Sequence, residues 1–132
     1  MSSESSFRYS VKQVSPALIE IEYSGSMTED TAHLRETEAL IKAAPRSVGM
    51  LYRVPDFASF HTSQVKAHAD LFSRTRAKVV GIAVLQPQSM VRFGAVTVGL
   101  ISKTPLKAFD DRSSAVAWLD QLSTPTTMPR RR

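Results

Sequence analysis

The chain has 132 residues, 42% of them hydrophobic and 22% charged, a size and balance that suit one globular domain around one core. It has no cysteine, which excludes disulfides, thiolate metal sites and cysteine nucleophiles together. Its net charge of +5 owes three units to Arg130, Arg131 and Arg132, so the rest of the chain carries only +2.

No apolar run approaches the roughly 18 residues that span a bilayer, and the polar start MSSESS lacks the basic and apolar regions of a signal peptide. A cytoplasmic protein without a transmembrane segment is expected. Residues 1–6 and the tail 123–132, STPTTMPRRR, offer nothing to bury and read as disordered flanks of a domain over 7–122.

In chain order, FRYSVKQ (7–13) alternates apolar and polar residues, Ser15-Pro16 makes a turn, and ALIEIEYS (17–24) alternates again, the pattern of a β-hairpin. Ile19, Ile21 and Tyr23 fall on the buried face of the second strand, and Leu18, Glu20 and Glu22 on the wet one. Thr28 is the expected cap of a helix running to Ala44, with Glu29 and Asp30 in its first turn and Met27, Thr31, Leu34, Ile41 and Ala44 as its inner stripe. Pro45 ends it. SVGMLYRV (47–54) is a third strand with Val48, Met50 and Tyr52 on one side.

Pro55 and Asp56 then open an exposed loop through FASFH, before a helix over about 62–75 whose face is Val65, His68, Ala69 and Phe72. KVVGIAVL (78–85) is almost continuously apolar and is placed mid-sheet. Residues 87–103 carry both periodicities: Met90, Phe93, Thr97 and Ile101 suit a helix, whereas Val96, Val98 and Leu100 alternate. Pro87 favours the helix. LKAF (106–109) forms a short strand, and Asp110 or Asp111 caps a final helix with Ala115, Trp118, Leu119 and Leu122 at helical spacing. The resulting ββαβαβαβα order predicts an α/β domain with a single mixed, mostly parallel sheet of about five strands packed by helices.

The strand order and the ending LKAFDDRSSAVAWLDQL resemble the SpoIIAA-like or STAS family of small bacterial domains, chiefly through Phe109, Asp110, Asp111, Ala115, Trp118 and Leu119. The resemblance implies a non-enzymatic regulatory module that docks onto another protein. In the antagonist branch a serine after the third strand is phosphorylated and controls docking. The corresponding segment here is DFASFHTSQ, with Ser59, Thr62 and Ser63 as hydroxyls and without the family's Asp-Ser-Ser-Gly signature. Thr62 can equally serve as a plain helix cap.

The expected docking surface is the loop 55–64 with the exposed side of the next helix, including Asp56, Phe57, Phe60, His61 and Lys66. Asp56, Ser59, His61 and Ser63 bring an acid, hydroxyls and an imidazole close together in sequence, but no Gly-x-Ser-x-Gly segment accompanies them as a hydrolytic centre would need. His33, His61 and His68 are scattered with no zinc spacing, and the glycines form no phosphate-binding motif, so no cofactor is expected.

Two alternatives stay open. Arg74, Arg76 and Lys78, with Arg8, Lys12 and the tail Arg130–Arg132, suit nucleic acid or anionic lipid. Phe57, Phe60 and Phe72 suit the border of a pocket for an apolar ligand. A homodimer is compatible with each reading.

Overall fold

The computed structural model describes residues 6–123, so the tail arginines Arg130, Arg131 and Arg132 lie outside the described residues. The elements are β1 (Arg8–Ser15), β2 (Leu18–Met27), α1 (Ala32–Ala43), β3 (Val48–Phe60), α2 (Ser63–Arg74), β4 (Val79–Leu85), α3 (Ser89–Ser102), β5 (Leu106–Phe109) and α4 (Arg112–Ser123), with a single 3-10 turn at Arg76–Lys78. The strands form one sheet in the order β1-β2-β3-β4-β5, in which only β1 runs antiparallel to its neighbour. This is the mixed, mostly parallel α/β sheet that the periodicities predict, and 89–102 is the helix that Pro87 favours.

Why the helices divide as they do follows from handedness. From β2 to β5 every strand is added on the same side of its predecessor, and right-handed crossovers then place every connecting helix on one face. Helices α1, α2 and α3 accordingly cover the main core of Ile19, Ile21, Tyr23, Met50, Tyr52, Phe72, Ile82 and Val84. Helix α4 follows the last strand and packs on the opposite face, where Ala115 and Leu119 meet Leu51 and Ala83. Asp111 caps it through a 2.8 Å bond from the Ser114 backbone N–H. Beside α4 the wet face of β2 carries an ion-pair network, with Arg53 joined to Glu20 and Glu22, and Arg112 to Glu20. Burial opposes ionisation of Glu20, but hydrogen bonds from Arg112 and Arg53 hold its carboxyl below the usual range.

Strand β3 departs from the sequence expectation. It does not end at Pro55; it stays paired with β2 to Phe60, with Asp56 opposite Ser24, Phe57 opposite Gly25 and Phe60 opposite Met27. The pairing slips at two points, each inserting one extra residue into β3. The first slip surrounds Pro55, whose missing N–H therefore interrupts no regular ladder. Together the two bulges change the inward period from two to three, so Val54, Phe57 and Phe60 all turn toward the helices while 55, 56, 58 and 59 face out. The exposed loop expected at 55–64 is thus an edge of the sheet, and Phe57 is 4% exposed rather than displayed.

Helix starts shift as well. Helix α1 begins at Ala32 rather than at Thr28, because Thr28 Oγ1 accepts from the Asp30 N–H and Asp30 Oδ1 from the Ala32 N–H, holding 28–31 in a non-helical turn. Strand β4 is interior, paired with β3 and β5, although the geometric centre of the sheet is β3.

Gly25 marks the second bulge. Its φ of +82° lies in the left-handed region, and an added Cβ would strike the Ser6 carbonyl. Gly25→Ala is expected to destabilise the protein by about 2 kcal/mol, read as a lower urea midpoint with an unchanged slope.

Candidate functional site

The rim formed by the end of β3 and the start of α2 gathers the polar residues singled out from the sequence. Asp56, Ser59, His61, Thr62, Ser63 and Lys66 are all exposed there. Ser59 Oγ donates to Ser26 Oγ across the strand pair at 3.1 Å, and Lys66 pairs with Asp70 one turn on at 2.9 Å. Thr62 makes no capping bond with its side chain. The cap is His61, whose Nδ1 accepts from the Ser63 N–H at 3.1 Å and lies 2.8 Å from the Ser63 hydroxyl, while Nε2 faces Glu29 at 3.3 Å.

This line of Ser63, His61 and Glu29 has the residue types of a nucleophilic triad, with Glu29 in the place considered for Asp56. Its geometry is that of a solvated helix start: the Ser63 hydroxyl and its own backbone N–H address the same imidazole nitrogen, and Glu29 is 74% exposed. A buried acid that would fix and polarise the imidazole is missing from the arrangement.

Beneath this rim lies a cluster that the sequence spacing concealed. His33 from α1 and His68 from α2, far apart in sequence, bring their ring centroids to 5.7 Å and both pack edge-on against Tyr23. The reading of three scattered histidines therefore holds for His61 only. Gln64 O can only accept, so His68 Nδ1 carries the proton of the 2.7 Å bond between them. Nε2 is then the acceptor for the Tyr23 hydroxyl at 3.0 Å. Gln64 Nε2 donates to the carbonyls of Thr28 and Asp30, tying the non-helical turn before α1 to α2. Burial lowers the pKa of His33 and pushes that of His68 down to about 4, the neighbouring His33 adding to the effect on His68. Among the described residues no group of three or more His, Asp and Glu side chains converges as a metal site would require.

The aromatic residues proposed as docking anchors have other places. Phe57 stacks on Phe60 inside the rim, and Phe60 covers Gly94 of α3, where an added Cβ would come within 3.0 Å of its ring. Gln88 Nε2 donates to the Phe57 carbonyl at 3.2 Å and seats α3 on the end of β3. The basic cluster is partly committed as well. Arg74 pairs with Glu38 at 2.9 Å, and Lys78 Nζ donates to the Lys42 and Ala44 carbonyls at the end of α1. Arg76 is exposed in the turn after α2.

The sequence reading missed the outer face of α3. Met90, Phe93, Val96, Leu100 and Ile101 are exposed, Phe93 by 77% and Leu100 by 74%. Gly94, Val98, Gly99 and Ser102 face inward, so the helix is apolar on both sides. The signal was present in the mixed periodicity of 87–103, since a helix apolar all round cannot be assigned one buried stripe.

A sheet of these five strands with three helices on one face and one on the other defines the SpoIIAA-like class of α/β domain. The SpoIIAA-like family model matches residues 18–120, and the chain belongs to that family. No curated protein matches it in sequence. Among solved structures it is similar to an uncharacterised DUF3478-family protein with a SpoIIAA-like fold from Shewanella loihica PV-4, at 14% identity and a TM-score of 0.60 over 86% of this chain and 93% of that one. It is also similar to the anti-sigma factor antagonist SpoIIAA in its unphosphorylated form, at 14% identity, TM-score 0.58, and 86% and 97% coverage. The Bacillus cell fate determinant SpoIIAA in its phosphorylated form gives 13%, 0.55, and 85% and 99%. These likenesses establish the fold. Among the described residues no helix is long and apolar enough to cross a membrane.

The histidine cluster makes stability depend on pH. A folded-state pKa of about 4 for His68, below the usual 6.5, means that the unfolded chain binds more protons in this range. Stability is complete above about pH 6.5 and declines as pH falls toward 4, by about 2–3 kcal/mol from this ring. Urea unfolding at pH 7, 6, 5 and 4.5 should show that slope, and His68→Gln should flatten it.

Proposed function

We propose that this protein is a non-enzymatic regulatory docking domain, and that it binds a partner protein through the outer face of α3 together with the adjoining β3–α2 rim. The observation that carries this reading is the row of exposed large apolar residues on α3: Met90, Phe93, Val96, Leu100 and Ile101 on one rigid helix. Contiguous exposed apolar surface of this kind is a mark of an interaction site rather than of an ordinary solvated face. Family membership supports the same class of role, since one similar structure is that of an anti-sigma factor antagonist.

The character of the surface narrows the partner. From Gln86 to Phe109 the chain has no acidic residue, and Arg92, Lys103 and Lys107 are exposed along it. An apolar patch edged by acid on the partner complements it. On the rim, Asp56, His61 and Lys66 replace Phe57 and Phe60 as the accessible residues, because the latter two turn inward. Ser59, Thr62 and Ser63 are the exposed hydroxyls that phosphorylation would use. A phosphate on Ser63, the first residue of α2, would meet free helix N–H groups and would break the His61 contact beside Glu29.

Phe93→Asp and Leu100→Asp should each leave far-UV circular dichroism and the urea midpoint essentially as in the parent chain, since both positions are exposed. Each should weaken capture of a partner from lysate about 30-fold, as for a truncated interface anchor. An unchanged set of captured proteins would overturn this docking face. Loss of binding to vesicles containing anionic phospholipid, with protein capture unaltered, would instead favour the lipid-binding alternative.

A further inference from the structure

Helices that join parallel strands run back against them, so their C-termini and the loops that follow gather at one end of the sheet. In this chain that end holds the loop from α1 to β3, the turn from α2 to β4 and the loop from α3 to β5. Each presents an exposed cation: Arg46 in the first, Arg76 in the second and Lys103 in the third. None of the three connections, 44–47, 75–78 and 103–105, contains an acidic residue.

Cations beside helix C-termini ordinarily compensate the negative ends of the helix dipoles. Lys78 does so by donating to the Lys42 and Ala44 carbonyls, and Arg74 is held by Glu38. Among the described residues no ion pair or side-chain hydrogen bond engages Arg46, Arg76 or Lys103. Helix α4 ends at the same place, with Leu122 over Gly81 near the start of β4. From Ser123 the chain goes on to Arg130, Arg131 and Arg132.

We infer that this end of the sheet is a binding surface for the phosphate backbone of a nucleic acid duplex, engaged without regard to sequence. Neighbouring strands lie about 4.8 Å apart, so the connections leading into β3, β4 and β5 set their cations along a row of about 10 Å. One strand of a duplex carries a charge about every 3.4 Å along its axis, so the row faces about three phosphates. The tail arginines leave from the same end and add charge of the same sign. Between the cations the connections expose only Pro45, Ser47, Ala77 and Pro105. These offer no aromatic ring to stack on unpaired bases and no large apolar group to bury in a bilayer. Contacts confined to phosphate position a duplex without reading its bases. The surface lies at the other end of the strands from the β3–α2 rim, and the inference does not rest on the docking role.

The probe is a fluorescent DNA duplex of about 20 base pairs and mixed sequence, titrated with the full chain by anisotropy between about 50 and 200 mM salt. With about six phosphates neutralised, the logarithm of the affinity should fall against the logarithm of salt with a slope of about −5. Arg46→Ala, Arg76→Ala and Lys103→Ala combined should bring that slope to about −3 and weaken binding at least about 10-fold at the lowest salt. Far-UV circular dichroism should stay that of the parent, because all three positions are exposed. Arg8→Ala, opposite Ser24 toward the other end of the sheet, should leave the slope unchanged. Lack of salt-dependent binding by the parent, an unaltered slope in the triple variant, or an equal loss with Arg8→Ala would each overturn the assignment. Tighter binding of the unpaired strand, or of phosphatidylserine vesicles, than of the duplex would overturn it as well.

Discussion

Pairing of β3 with β2 from Gly49 to Phe60, across two bulges, is the constraint on which the rest of the molecule depends. The first half of the strand supplies the residues buried on both faces, Val48 to Tyr52, and so joins the two cores. The second half is held in the sheet by two bulges, the first of which absorbs Pro55, and together they turn Val54, Phe57 and Phe60 inward at every third residue. Phe60 then props Gly94, and the Phe57 carbonyl anchors Gln88, so the position of α3 is set from the end of this one strand.

Helix α3 has two apolar sides with two different consequences. The inner side closes an apolar cavity against α2, with Val91, Gly94, Ala95 and Val98 as its share of the wall. The outer side leaves large apolar groups in water, which a folded domain tolerates only as scattered residues or as a surface to be covered. Polar chemistry is kept at the other end of the helical layer, where His33, His68, Tyr23 and Gln64 tie α1, α2 and β2 together. Desolvation keeps both imidazoles neutral at ordinary pH, so this cluster stiffens the layer without placing charge against the cavity.

The exposed basic residues divide similarly into committed and available ones. Glu38 receives both Lys42 and Arg74, and Glu20 receives both Arg53 and Arg112, so much of the charge read from composition is spent on joining elements. Along α3 and β5 the positive groups face apolar surface rather than acids. Lys107 lies 5.5 Å from the Phe109 ring centre, and Arg92 and Lys103 flank the exposed stripe. A surface of this composition attracts acid at its margin and apolar contact at its centre.

The order of elements, the inward face of β2, a cap at Asp110 or Asp111 and the α4 stripe of Ala115 and Leu119 were all legible in the sequence, because each rests on local periodicity or a side chain bonding to backbone a few residues away. The course of 55–60 was not. Pro55-Asp56 is a strong local terminator, and only pairing with β2, some thirty residues earlier, places the bulges that carry the strand past it. The same holds for the candidate sites: the meeting of His33 with His68 and the exposure of Phe93 depend on how three right-handed crossovers stack their helices on one face. Sequence spacing determines what each element can bury, whereas tertiary packing decides which apolar side finds a neighbour and which is left to solvent.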